Sequence, residues 1–341
     1  MTASLRQVAA EADVSQATAS RVLSGNGAEL FAPETRRRIE EVASRLGYRP
    51  NHTARALATG RTGLMTLWSY PPYQTFFAMV MAVMQRQAQQ RGFGLLVADI
   101  SASKNAGLRY KSVVWPSDGI LAMDCGSWAA EVADARPSPR TPIVSMGTSW
   151  IPDTDSVRLD LSGAFADATR HLIAQGCRRI AYLTRVVPGD PPDTANVFAR
   201  PRHAYDQVMR ESGLESLLIP LADPTRDEAR EAVLNYIRSH GGVDAILCRN
   251  DDLAIGAYRA LCDLELRVGE DVRLVGCDNT EHTRFMPCPI STIVLPIPRM
   301  CQLAWEFMEQ RLAKPDAPPQ TETLTATLEI RESSSRARAA T

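Results

Sequence analysis

No two of the seven cysteines (125, 177, 248, 262, 277, 288, 301) form a C-x-x-C pair. An odd, scattered set does not suggest a disulfide framework or a zinc site, and ordinary reduced thiols are expected. The five histidines (52, 171, 203, 240, 282) include no H-E-x-x-H, and the chain has no G-x-G-x-x-G, P-loop or G-x-S-x-G. With no nucleophile or cofactor motif, we expect no catalytic residue, no metal and no cofactor. No apolar run approaches a transmembrane helix in length, so no membrane partner is expected. The opening MTASLRQVAAEADVS reaches Arg6 and Glu11 without the apolar segment of a secretory signal, and a cytoplasmic protein is expected.

What remains is a soluble composition, with 45% hydrophobic and 23% charged residues. A length of 341 residues suggests two or three domains rather than one core. The net charge of −1 is unevenly spread, because residues 1 to 61 hold nine arginines against six acidic residues. That mild excess permits nucleic-acid binding at this end without requiring it.

Leu5 to Ala12 reads as a helix with Leu5, Val8, Ala9 and Ala12 on one face. Asp13-Val14-Ser15 breaks it: Asp tolerates a left-handed turn position, and Ser15 is a good N-cap. The next helix, Gln16 to Leu23, buries Ala19, Val22 and Leu23 and turns Gln16, Ala17, Ser20 and Arg21 outward. Pro33 opens a third helix whose Ile39, Val42 and Leu46 complete a small core. Two short helices joined by a three-residue turn and braced by a third make a helix-turn-helix. Gln16 suits adenine, Ala17 a thymine methyl and Arg21 guanine, although periodicity alone also permits a plain helical bundle.

The order SLRQVAAEADVSQATASRVLSG, followed by APETRRRIEEVASRLGYRPNHTARALATGRTG, closely resembles the DNA-binding module of the LacI/GalR family of bacterial transcription regulators. The resemblance implies that Ser15 and Thr18 hold phosphates while Gln16, Ala17, Ser20 and Arg21 enter the major groove. Asp13 stands in place of the usual turn glycine, and Ala32 in place of the usual serine cap. The resemblance also gives a role to the segment Asn51 to Ala58, which is too short to be a stable isolated helix. It implies a hinge helix ordered when two subunits meet on DNA. Asn51 would cap it, Ala54 permit close approach, Arg55 reach phosphate or the groove edge, and Leu57 wedge between base steps.

From Gly63 the pattern alternates strand-like runs (GLMTLW, FGLLVAD, DGILAM, TPIVSMG, RIAYLT, VDAILC, VRLVGCD) with helical stretches such as Ala78 to Arg91, Ala164 to Gln175 and Leu253 to Leu261. This predicts parallel sheets with helices on both faces. Ligands collect beyond the C-terminal ends of such strands, where Asp124, Asp160, Asn250-Asp251 and Asp278-Asn279 lie.

The stretches SVRLDLSGAFADATRHLIAQGCRRIAYLT, AILCRNDDLAIGAYRALCDLELRVGEDVRLVGCDNTE, PISTIVLP and LEIRESS resemble the effector domain of the same family. That implies two lobes like those of periplasmic sugar-binding proteins, with a cleft between them. On matching positions Phe76 and Phe77 would form an apolar platform, while Asp160, Arg202, Asn250 and Asp278 would bond the ligand. Gln74-Thr75 stands where the family has Asn-Pro before its aromatics, and Cys177 stands where histidine is common.

The expected architecture is therefore an α + α/β chain: a helix-turn-helix head (1–50), a hinge helix and linker (51–62), and a two-lobed effector-binding and dimerisation domain (63–341). The expected function is a ligand-responsive regulator, and repression is the favoured sense. It would bind a pseudo-palindromic operator in double-stranded DNA as a homodimer, or as a tetramer of two dimers, and sense a small sugar-like effector. The Met-rich helix Ala78 to Gln90 is expected in the dimer interface. The competing readings are a constitutive DNA-binding regulator with a degenerate cleft, a solute-binding protein and a sugar-modifying enzyme.

Overall fold

The computed structural model describes residues 3–24, 30–48, 60–69, 74–99, 116–126, 129–134, 136–186 and 199–335. The chain divides into two compact units, Met1–Gly63 and Leu64–Thr341.

Among the described residues the first unit has three helices: α1 Leu5–Glu11, α2 Gln16–Ser24 and α3 Pro33–Arg45. Its core joins Val8, Ala9 and Ala12 to Ala19 and Val22 and to Ile39, Val42 and Ala43. Small residues at the crossings let these short helices approach closely, as so small a core requires.

The second unit contains two six-stranded sheets, one in each lobe. The first comprises β1 Leu64–Ser69, β2 Gly94–Asp99, β3 Gly119–Met123, β4 Ile143–Gly147, β5 Asp155–Asp160 and β11 Thr321–Thr325, in the order β11-β5-β4-β3-β1-β2. All its pairings are parallel. The second comprises β6 Ile180–Arg185, β7 Leu217–Leu221, β8 Ala245–Cys248, β9 Arg273–Cys277, β10 Ser291–Val294 and β12 Thr327–Glu329, in the order β12-β10-β9-β8-β6-β7. Only β12 runs antiparallel there. In both sheets the order reverses beside the first strand, and the crevice for a ligand in such folds opens at that reversal.

Helices α4 Thr75–Gln90, α5 Ala129–Asp134 and α11 Ile297–Ala313 serve the first lobe. The second carries α6 Ser162–Ala174, α7 Ala199–Glu211, α8 Arg226–His240, α9 Asp251–Asp263 and the single turn α10 Glu281–Arg284. The inner strands β3, β4 and β8 are buried along their whole length because both sheet faces are covered, which is why their sequences are continuous apolar runs rather than alternations.

Helix α4 lays one of its faces on its own lobe. Val80, Met84 and Ala88 are buried in the core of their own lobe. The helix packs beside α11, and just past its end Arg91 pairs with Glu309 at 3.1 Å. Phe76, Phe77, Met79, Met81 and Val83 are half-buried beside that stripe. Met84 is thus a core residue, and Met84→Glu reports on folding rather than on dimer contacts. Placing a carboxylate there should cost about 3 kcal/mol or more. A denaturant midpoint equal to that of the parent chain would contradict this placement.

Candidate DNA-binding head and effector cleft

The start of α2 is fixed by local chemistry. Asp13 adopts a left-handed φ of 49°, which folds the chain back after α1, and Val14 turns inward against the head core. The Ser15 hydroxyl then caps α2, accepting the Thr18 N–H at 3.0 Å, and the two hydroxyls are hydrogen-bonded to each other at 2.9 Å. Ser15, Gln16, Ala17, Ser20 and Arg21 are exposed and Thr18 is half-buried. Ser15, Gln16 and Ala17 thus stand exposed at the N-terminal end of the helix, with Ser20 and the last-turn Arg21 exposed further along it.

Two further closures hold the helix in place. Ser4 and Gln7 form a capping box on α1. Gly47, at a φ of 63°, ends α3 with Tyr48 N–H on the Ala43 carbonyl at 2.9 Å and its own N–H on Ser44 at 3.0 Å. As expected from its sequence, Ala32 makes no side-chain cap on α3. Asn51, Ala54, Arg55 and Leu57 lie outside the described residues.

In the effector domain, polar groups gather at the C-terminal ends of the strands. Asp124, just after β3, is 4% exposed. Its Oδ1 accepts the Thr148 N–H at 2.6 Å, the Thr148 hydroxyl at 2.9 Å and the Ser149 N–H at 2.9 Å. Burial pushes its carboxyl upward, while these donors and Arg249 pull it back. Arg249 follows β8 in the other lobe and lies within electrostatic reach of Asp124 and Asp278.

Asp251 is fully buried and accepts the Thr280 N–H at 2.7 Å and the Thr292 hydroxyl at 2.9 Å. Desolvation raises its carboxyl above the ordinary range. Asp278, after β9 and buried, is raised by desolvation and then by its neighbour Asp251.

The expected effector residues are only partly assembled. Phe76 and Phe77 stand in the first turn of α4, edge to face at 5.2 Å, as half-buried apolar surface. Asn250 caps α9, accepting the Leu253 N–H at 2.8 Å. Asp160 accepts the Ser162 N–H at 2.9 Å at the start of α6. Arg202 is exposed on α7 and pairs with Asp206 at 3.5 Å. Among the described residues no hydrogen bond joins Asp160 or Arg202 to the other candidates.

Sequence reasoning missed Arg249, Trp150 and Arg200. Trp150 lies under the Arg158 guanidinium at 4.2 Å and under Arg200 of the second lobe at 5.6 Å. A usable signal was present for Arg249: a charged residue ending the apolar run VDAILC.

Two family models match the chain. That of bacterial regulatory proteins of the lacI family covers residues 4–51, and that of a periplasmic binding protein-like domain covers 169–334. The chain belongs to the lacI family. The catabolite control protein A of Priestia megaterium is 27% identical over 338 residues, spanning 98% of this chain and 99% of the relative. The ribose operon repressor of Haemophilus influenzae is 27% identical, spanning 97% and 98%. Among solved structures, the lac repressor dimer bound to operator and an anti-inducer superposes with a TM-score of 0.78 at 22% identity, covering 98% of this chain and 99% of that one. A ribose-bound lacI-family regulator from Enterococcus faecium gives 0.68 at 18% identity, covering 81% and 100%. Membership makes this lacI-family chain a DNA-binding transcription regulator rather than an enzyme.

The buried acids of the second lobe predict a pH dependence. Asp251 and Asp278 hold their protons to higher pH when folded than when unfolded, so their contribution to stability is present below about pH 4 and is lost as pH rises through the raised folded values. Between about pH 5 and about pH 7 the parent chain should lose more stability than Asp251→Asn. Parallel denaturation curves for the two proteins would count against it.

Proposed function

We propose that this lacI-family regulator represses transcription by binding a pseudo-palindromic operator as a homodimer, and that a sugar or sugar derivative in the cleft sets its DNA affinity. The observation that carries the reading is the exposed N-terminal face of α2, a polar helix end fixed by the Ser15–Thr18 cap on a three-helix core. On that face Ser15 and Thr18 would meet phosphates, and Gln16, Ala17, Ser20 and Arg21 would read base edges. Asn51, Ala54, Arg55 and Leu57 would form the hinge helix, with Leu57 as the minor-groove wedge. The division into head (1–50), hinge (51–62) and effector domain (63–341) belongs to the same proposal.

For the effector, Phe76 and Phe77 offer an apolar wall, and Asp160, Arg202, Asn250 and Asp278 offer polar groups. The ribose-bound relative and the cellobiose complex of the regulator CelR, which superposes with a TM-score of 0.65, support a sugar. One observation favours a second reading, a regulator without ligand control: Arg249 is within electrostatic reach of Asp124 and Asp278 with no effector present.

Three measurements test these readings. With an operator selected from a random DNA pool, Arg21→Ala and Gln16→Ala should each lose about 1–3 kcal/mol of specific affinity and keep salt-dependent non-specific binding. Leu57→Gly should lose specific affinity in the same way, and equal operator affinity in that variant would refute the wedge. A sugar, sugar-acid and nucleoside panel should contain a compound that adds about 2.7 kcal/mol of stability at a hundred times its Kd. A panel in which no compound shifts melting would favour constitutive binding.

A further inference from the structure

One contact between the two lobes joins the N-terminal ends of α4 and α9 through a carboxylate. Asp252 stands in the first turn of α9, in the second lobe. Its Oδ1 accepts the Thr75 hydroxyl at 3.1 Å and its Oδ2 accepts the Thr75 N–H at 3.4 Å, and Thr75 opens α4 in the first lobe. Arg226 closes the set. Its Nε donates to Asp252 at 2.8 Å, its Nη2 lies 2.6 Å from the same carboxylate, and that Nη2 also donates to the Thr75 hydroxyl at 3.2 Å.

Local needs do not explain this geometry. Asn250 already caps α9, so the Asp252 carboxylate is not required for capping. Arg226 sits in the first turn of α8, where a cation is disfavoured by the helix dipole. Its place is nevertheless tightly fixed: a Cβ on Gly256 of α9 would come within 2.3 Å of the Arg226 carbonyl. The pair Arg226–Asp252 is thus preformed within the second lobe, and only Thr75 arrives from the first. A proline at position 75 could supply neither the N–H nor the hydroxyl.

We propose that Asp252 is the catch of a latch that holds the lobes together in the absence of any effector, with Arg226 as its backing and Thr75 as the part that engages. Both sides of the latch adjoin the effector candidates, since Phe76 follows Thr75 and Asn250 lies two residues before Asp252. An effector entering between them must first find the latch open, and its observed affinity is reduced by the fraction of molecules that are open. Trp150 and Arg200 form a second inter-lobe contact, at 5.6 Å, which accompanies the latch.

The test needs no ligand. Thr75→Pro removes both donors while suiting the backbone, because proline is favoured at the first helical position and Gln74 already has the extended conformation (ψ 122°) that a residue before proline requires. Hydrogen exchange would be followed on the full-length chain at the cleft segments 123–126 and 248–252. Thr75→Pro and Asp252→Asn should each speed exchange there by about tenfold, with the strands of both sheets unchanged. Thr75→Ser, which keeps both donors, should match the parent chain. Unchanged cleft exchange in Thr75→Pro and Asp252→Asn overturns the latch, as does equally fast exchange in Thr75→Ser.

Discussion

Asp124 and Asp251 are carboxylates held away from water at the ends of parallel strands, and their surroundings are arranged to supply the donors they need. Asp124 binds the loop after β4 through three hydrogen bonds and so seats Trp150. Asp251 binds the start of the segment after β9 and a hydroxyl on β10. The Asp251 carboxylate lies so close to β9 that a Cβ on Gly276 would come within 2.2 Å of it, so only glycine fits at that position. Removing either set of donors would leave a buried charge unsatisfied and release a cleft loop. The cleft is therefore a polar surface whose shape is set by satisfied acids rather than by apolar packing.

The head solves a different problem. It has too few residues for a large core, so it relies on caps and turns: Ser4, Asp13, Ser15 and Gly47 each end or begin a helix. These closures leave Gln16, Ala17 and Ser20 of α2 exposed to solvent, outside the head core. A salt bridge at 2.7 Å between Arg45 and Glu11 adds little in solvent but sets α3 against α1.

Much of this was legible in the sequence. The helix-turn-helix stood out because its apolar spacing, turn aspartate and cap serine all agree, and a fold is most readable where local and global preferences coincide. The seven strand-like runs were visible because buried parallel strands are uniformly apolar. Strands β5, β7, β10, β11 and β12 lie outside those seven runs: β7, for instance, carries Pro220, and β11 (TETLT) is a polar edge strand. The Met-rich helix α4 was read as an interface, and its Met84 proves to face the lobe core, because periodicity gives the direction of an apolar face but not what covers it. Asp160 was legible as a polar residue at a strand end and Arg202 only through the family resemblance, yet their local partners, Ser162 and Asp206, depend on the folded chain. Thr75 was noticed only as a departure, and its bonds to Asp252, 177 positions away in sequence, were beyond any pattern.

Strands β11 and β12 belong to different sheets yet are separated in sequence by Ala326 alone. The chain had already passed from the first lobe to the second after β5 and back again after β10, so neither lobe is encoded by an uninterrupted stretch of gene. A single recombination breakpoint between two relatives cannot exchange one lobe for another without leaving both sheets with mismatched edges. New effector preferences in such a scaffold must arise by substitution within the cleft, or by inheritance of the whole sensing domain as a block behind its head.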